Sequence, residues 1–230
     1  MLVVGSGQSG CQVAEDLLAA GRTVYLSVGA CPWMPRSHRG RDLVYWLAEI
    51  GMLDQTVDTL TAPNALLACN PAVSGTEGGH DCNPLTLMGR GAVPVGRLED
   101  VRGGRAVFRD DLAVNVTKGL EFEAELRRRF DEHAGATPEP ASAEAQELPK
   151  VRELDLAGVG AIIWATGFRP DYGWIEPPVL DATGRPVHRR GLTDFPGLAF
   201  VGMHWLHKRK SALLIGVGED AEHVVAQLNA

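Results

Sequence analysis

Met1-Leu2-Val3-Val4-Gly5-Ser6-Gly7-Gln8-Ser9-Gly10 decides how the rest of this chain is read. Residues 1–4 form a short apolar run of the kind that makes a parallel strand buried on both faces. Gly5 to Gly10 fits G-x-G-x-x-G in full. Residues 9–20 read as a helix, with Val13 and Leu17, and Ala14 and Leu18, spaced i, i+4 on one apolar face. Gly21 stands where a helix stops, and the β-branched, apolar run 23–27 reads as a second strand.

Each glycine of the loop has its own reason. Gly5 permits a tight turn out of the strand, Gly7 lets backbone approach a pyrophosphate, and Gly10 lets the helix pack close to the strand. Amides at the helix N-terminus, from Ser6, Gln8 and Ser9 as well as the glycines, then face the phosphates. A lone motif is weak, but here strand, loop, helix and strand follow in order, which is the context a dinucleotide site needs. After the second strand the chain reads Leu26-Ser27-Val28-Gly29, and no acid follows before Asp42. An acid there would hold the ribose 2′-hydroxyl of NAD. Arg36, Arg39 and Arg41 follow instead, and guanidinium groups suit a 2′-phosphate. NADPH is therefore favoured over NADH; the plainer alternative is a solvated basic loop.

Farther along, residues 32–41 read as a loop and 42–50 as a helix. The Gly-, Pro- and Asn-rich stretch 61–84 reads as mostly loop. Runs 92–98 and 106–108 read as strands joined across Gly103-Gly104. Residues 121–133 read as a helix whose acids precede its arginines, which suits the helix dipole. The Ala-, Glu- and Pro-rich stretch 134–150 reads as a linker or exposed insertion. Strands are expected at 161–165 and 198–201, and a helix at 219–228.

The formal charge of −7 and the absence of a long basic run argue against nucleic acid as a partner. No apolar stretch reaches the length of a membrane span. Cys11, Cys31, Cys69 and Cys82 lack CxxC and metal-type spacing, and read as reduced thiols of a cytoplasmic protein. His80-Asp81-Cys82 reads as a structural loop, since three adjacent residues cannot all ligate one ion; no metal is expected. No nucleophile–histidine set or paired carboxylates stand out, so catalytic residues are not assigned.

The run Leu2 to Gly10, together with Trp164-Ala165-Thr166-Gly167-Phe168-Arg169-Pro170-Asp171, resembles the flavin-containing and Baeyer–Villiger-type monooxygenases, and most nearly their CzcO-like bacterial members. Gly79-His80-Asp81-Cys82-Asn83 and Gly197 to Trp205 resemble the same group. The resemblance implies an α/β fold with a Rossmann-like doubly wound sheet over 1–167, and a C-terminal segment, 168–230, like the closing part of an incomplete FAD-type domain. Ala165, Thr166 and Gly167 would line the crossing between domains. His204, His207, Lys208, Arg209 and Lys210 would lie near the flavin as a basic rim, with a solvated loop the equal alternative. The chain departs from the pattern in carrying one glycine motif, beginning at residue 5, with no FAD-type βαβ unit and no FxGxxxHxxx(W/Y) fingerprint before it. Most FAD phosphate contacts are therefore expected to be missing.

Two functions follow. In one, NADPH reduces a flavin that oxygenates a small organic substrate. In the other, a non-catalytic or repurposed NADP(H)-binding module has lost the FAD site or meets it on a separate chain. An unpaired strand at 198–201 would be a sticky edge, so residues 168–230 are expected to repack, to pair across a homodimer, or to await an FAD-domain chain.

Overall fold

The computed structural model describes residues 1–61, 66, 73–138 and 147–228. In chain order its strands and α-helices are β1 (Leu2–Val4), α1 (Gln8–Ala19), β2 (Tyr25–Ser27), β3 (Ser37–His38), β4 (Arg41–Asp42), α2 (Leu43–Glu49), β5 (Val73–Ser74), β6 (His80–Asp81), α3 (Pro84–Gly89), β7 (Val93–Val95), β8 (Leu98–Arg102), β9 (Arg105–Phe108), α4 (Leu112–His133), β10 (Glu153–Asp155), β11 (Ile162–Trp164) and α5 (Val217–Leu228). The chain divides into two units, Met1–Trp46 with Cys69–Gly167, and Leu47–Ala68 with Phe168–Ala230.

The first unit is an α/β structure around a parallel sheet of order β11-β1-β2-β7. Side chains alternate across a strand, so β1 divides its three residues between two cores. Val3 joins Leu26, Val28, Cys11 and Ala14 of α1, Leu87 of α3, and Leu112 and Val116 of α4. Leu2 and Val4 join Val95, Ala106 and Phe108 on the other face. Burying a side chain such as Leu2 or Val3 contributes about 1.5–3 kcal/mol. The second face is covered by the antiparallel sheet β10-β9-β8, where a doubly wound sheet would carry helices.

Several elements differ from their sequence reading for visible reasons. The run 92–98 is not one strand. It breaks at Gly96, where a Cβ would lie 1.9 Å from the Arg109 carbonyl oxygen; β7 stays in the parallel sheet, and β8 turns back through Gly103-Gly104 (φ +53° and +74°) into β9. Helix α4 begins at Leu112, well before residue 121. Asn115 and Gly119 interrupt its apolar period, but Asn115 donates from Nδ2 to the Val28 carbonyl at 3.0 Å, and a Cβ on Gly119 would lie 2.4 Å from the Trp33 ring. Helix α3 announces itself through Asn83 as N-cap, Thr86 completing the capping box and Pro84 in the first turn. The 32–41 loop holds a two-residue hairpin, β3 to β4, turned by Arg39 and Gly40 at φ +48° and +71°.

Pro94 occupies the middle of β7, an edge strand. Val93 donates to Val24, and Val95 accepts from Val28. The groups of Pro94 therefore face away from β2, where its missing N–H breaks no bond of the sheet.

In the second unit, α5 buries Asp220 and Val224, and Trp205, Leu206, Val179 and Leu53 are buried with them. Residues 198–201 do not form the expected strand: Ala199 makes a single bridge to Leu192, and Phe200 donates to Gly191 at 2.7 Å. The central part of the 134–150 stretch, 139–146, and Cys69 lie outside the described residues. Among the described residues, no helix is long and apolar enough to cross a membrane.

Candidate functional site

Strand β1 lies between β2, which follows it in the chain, and β11, which the chain reaches only after β7, so the strand order reverses at β1. In open parallel sheets ligands lodge beyond the carboxyl ends of the strands at such a reversal. Here that place is built from Gly5, after β1, and Ala165, after β11. The Ala165 amide donates to the Val4 carbonyl at 2.8 Å. Gly5 sits at φ +108°, and a Cβ on it would lie 2.4 Å from the Ala165 carbonyl oxygen. A Cβ on Gly10 would lie 1.9 Å from the Gly5 carbonyl oxygen. A side chain at Gly5 would push the end of β1 away from the end of β11, and one at Gly10 would push α1 away from the loop. The structure thus brings the glycine loop against Ala165 and the Thr166 amide, and Gly167 follows at φ +93°.

Gly7 is the N-cap of α1 and supplies no side-chain cap, and the first turn holds no acid. The first helical bond runs from the Cys11 amide to the Gly7 carbonyl at 3.0 Å. The amides of Gln8, Ser9 and Gly10 precede it and lack intrahelical acceptors, leaving a partial positive charge suited to an anion. Ser6 is buried, Gln8 half-buried and Ser9 exposed.

The end of β2 is held close to this loop. The Gly29 amide donates to Ser6 Oγ at 3.1 Å. Ser27 is buried, and its hydroxyl donates to the Gly96 carbonyl at 3.1 Å while accepting from the Leu98 amide at 2.9 Å. Its oxygen therefore ties β2 to the β7–β8 turn. Arg97 in that turn was not singled out by the sequence. Its Cδ lies 3.9 Å from where a Gly29 Cβ would stand. Asp111, the N-cap of α4, accepts from the Arg97 backbone amide at 2.9 Å and from Nε at 2.7 Å. Burial works to raise the Asp111 pKa, but these bonds outweigh it and hold the carboxyl below its ordinary value. Just beyond Gly29, a recess is lined by Ala30, Cys31, Pro32, Lys118 and Phe122.

The three arginines that the sequence favours are drawn into contacts of their own. Arg36 donates to Asp42 and, from Nε, to the Ser74 carbonyl at 3.3 Å. Arg39 donates from Nε to Asp131 at 2.7 Å and from Nη2 to the Thr137 carbonyl at 2.7 Å. The guanidinium of Arg41 lies 4.4 Å above the Tyr45 ring. Asp131 also pairs with His38 Nε2 at 2.5 Å, both side chains are buried, and the His38 ring packs against Trp46 and Phe130.

His80 and Asp81 are both taken up by neighbouring groups. His80 and Arg90 pair with the buried Glu15 of α1, which also accepts from the Ser74 hydroxyl at 2.8 Å. Asp81 accepts the Arg36 amide at 2.5 Å. Among the described residues, no group of His, Cys, Asp and Glu is arranged to hold a metal ion. In the second unit the basic run is matched by acids. Lys208 bonds Asp54 at 2.7 Å and Glu219 at 2.9 Å, and Lys210 pairs with the same two carboxylates. Arg209 lies 4.7 Å over the Trp205 ring.

No protein-family model matches the chain. It is similar to proteins named as oxidoreductases. It shares 30% identity over 228 residues with an uncharacterized CzcO-like oxidoreductase of Geobacillus kaustophilus, covering 98% of this chain and 51% of that protein. With the uncharacterized oxidoreductase CzcO of Bacillus subtilis it shares 29% over 231 residues, and with that of Bacillus velezensis 28% over 231 residues; each alignment covers 100% of this chain and 52% of the relative. The chain spans about half the length of the curated relatives it matches, and the likeness supports an oxidoreductase family.

Proposed function

We propose that this chain is the NADPH-binding part of a flavin-dependent oxidoreductase of monooxygenase type, with a Rossmann-like first unit. The observation that carries the reading is the glycine loop at the reversal of the parallel sheet. There Gly5 and Gly10 stand where a Cβ would strike backbone, and the start of α1 has neither side-chain cap nor acid. That is a cradle for a pyrophosphate. Gly5 to Gly10 would seat it, with Ala165, Thr166 and Gly167 beside it. NADPH, when bound, supplies a hydride to the flavin of such enzymes. The residues of this chain bind and orient the nucleotide, and residues 168–230 contribute to the flavin side. The names of the relatives support redox chemistry; the reading takes a small organic molecule as the substrate and places the protein in the cytoplasm.

A second reading is a binding module that meets the flavin on another chain. One observation favours it: Phe168, Trp174 and Leu214 are 96%, 77% and 99% exposed, which leaves large apolar side chains available to another protein's surface. The test is the visible spectrum of the purified chain, followed by titration with NADPH and NADH. Flavin absorption bleached by NADPH supports the oxidoreductase. A colourless protein that binds NADPH supports the module. Failure to bind either nucleotide overturns both.

A further inference from the structure

We propose that the adenosine 2′-phosphate of NADPH is held by Arg97 and Lys118, with the adenine in the recess beside Phe122. The inference rests on the nucleotide reading above and assigns the end of the ligand that distinguishes NADPH from NADH. In a βαβ nucleotide site the ribose lies between the glycine loop and the end of the second strand, and a side chain there meets its 2′ substituent. Two features fix that place here. Ser6 of the loop is bonded to Gly29, and Gly29 has no side chain of its own. The space that its side chain would enter is bordered by Arg97, whose Cδ stands 3.9 Å from the ideal Cβ position. Arg97 thus stands in for the residue that normally ends β2.

The geometry of Arg97 suits an anion. Asp111 takes its backbone amide and Nε, which fixes the direction of the guanidinium. Its Nη groups make no hydrogen bond among the described residues, and its side chain is half exposed. Terminal nitrogens held in place this way match the paired oxygens of a phosphate.

Helix α4 extends the same site. Asp111, Asn115, Lys118 and Phe122 follow at i, i+4, i+7 and i+11, which is one face of a helix. Asp111 holds Arg97, and Asn115 caps the Val28 carbonyl at the end of β2. Lys118 and Phe122 line the recess with Ala30, Cys31 and Pro32. Lys118 is exposed, and helical side chains lean toward the N-terminus of their helix, here toward Asn115 and Arg97. Asp111 and Lys118 are separated by about 10 Å along the helix, a span that the two long cationic side chains can close around a phosphate. Pro32 and Phe122 give the recess apolar lining, which suits an adenine face.

The test uses the full chain and two small probes, adenosine 2′,5′-bisphosphate and adenosine 5′-monophosphate, by calorimetry, with NADPH and NADH in parallel. The expected result is preference for the bisphosphate and for NADPH. Arg97→Gln and Lys118→Gln should each weaken the 2′-phosphorylated ligands by about tenfold, the scale of one charge-assisted hydrogen bond, and leave the other two unchanged. Arg97 also orders Asp111, so circular dichroism checks its fold; Lys118 is a surface residue and keeps the test sound if Arg97→Gln unfolds. Discrimination that survives both substitutions, or that disappears in Arg36→Gln, Arg39→Gln or Arg41→Gln instead, overturns the assignment. A wild-type chain that binds NADH and NADPH equally overturns it while leaving the nucleotide reading intact. A chain that binds neither overturns both.

Discussion

The corner at the end of β2 and the β3–β4 hairpin both carry arginine, yet they are built in opposite ways. In the hairpin, Arg39 and His38 converge on Asp131, whose side chain is 1% exposed, and Arg36 and Arg41 are taken up by Asp42, Ser74 and Tyr45. At the corner, Arg97 meets one carboxylate and is 50% exposed. The difference is between positive charge used to close a loop and positive charge fixed at its base with its tip left toward solvent. Clustering of arginines in sequence does not separate these cases; the distribution of their partners does.

Four substitutions would break or sharpen the contrast. The largest effect is expected for Asp131→Ala, which leaves His38 and Arg39 facing a buried gap; removal of one member of a buried ionic group costs about 3–5 kcal/mol, read as a lowered urea midpoint. If the hairpin is structural, the folded fraction keeps its ratio of NADPH to NADH affinity. Gly10→Ala comes next. Its Cβ would meet the Gly5 carbonyl oxygen at 1.9 Å, so a loss of about 3 kcal/mol is expected, together with loss of affinity for both nucleotides. Both the stability and the binding losses would be absent if the loop can yield.

A smaller effect is expected at Glu15, where burial raises the pKa but bonds from His80, Ser74 and Arg90 outweigh it and hold the carboxyl below 4.5. A folded-state value below the unfolded one contributes stability above pH 4.5 that is lost as the pH falls through the folded value. Glu15→Gln should cost about 1–2 kcal/mol at neutral pH and flatten the acid side of a plot of melting temperature against pH. An unchanged acid limb would remove Glu15 as its source. The smallest effect is expected for Arg41→Gln: its stacking on Tyr45 is partly exposed and is worth less than about 1 kcal/mol. A large drop in nucleotide affinity on that change would move the 2′-phosphate back to the hairpin.

The first βαβ unit was legible because each signal is local. Gly5 and Gly10 face obstacles within a few residues or on the adjoining strand, and Gly21 ends α1 at φ +69°. The start of α4 was not legible, since Asn115 and Gly119 look like interruptions until Val28 and Trp33 are placed against them. Arg97 was hidden for the same reason: only the break at Gly96 and the N-cap of α4 bring it to Gly29. The arginines of 36–41 advertised their charge in sequence, whereas the chief partner of Arg39, Asp131, lies 92 residues away. The run 198–201 has the composition of a strand, but its described pairing is with the turn at Gly191-Leu192.

Pro94 has a consequence for behaviour at high concentration. A foreign strand laid along β7 would seek the outward N–H at the centre of that short strand, and proline has none to give. Extended edges are where native sheets template aggregation, and a proline directed outward is one of the devices that stop it. Pro94 is buried in the folded chain, so the guard acts against strand addition while the chain refolds, and Pro94→Ala would remove it without removing a bond from the native sheet.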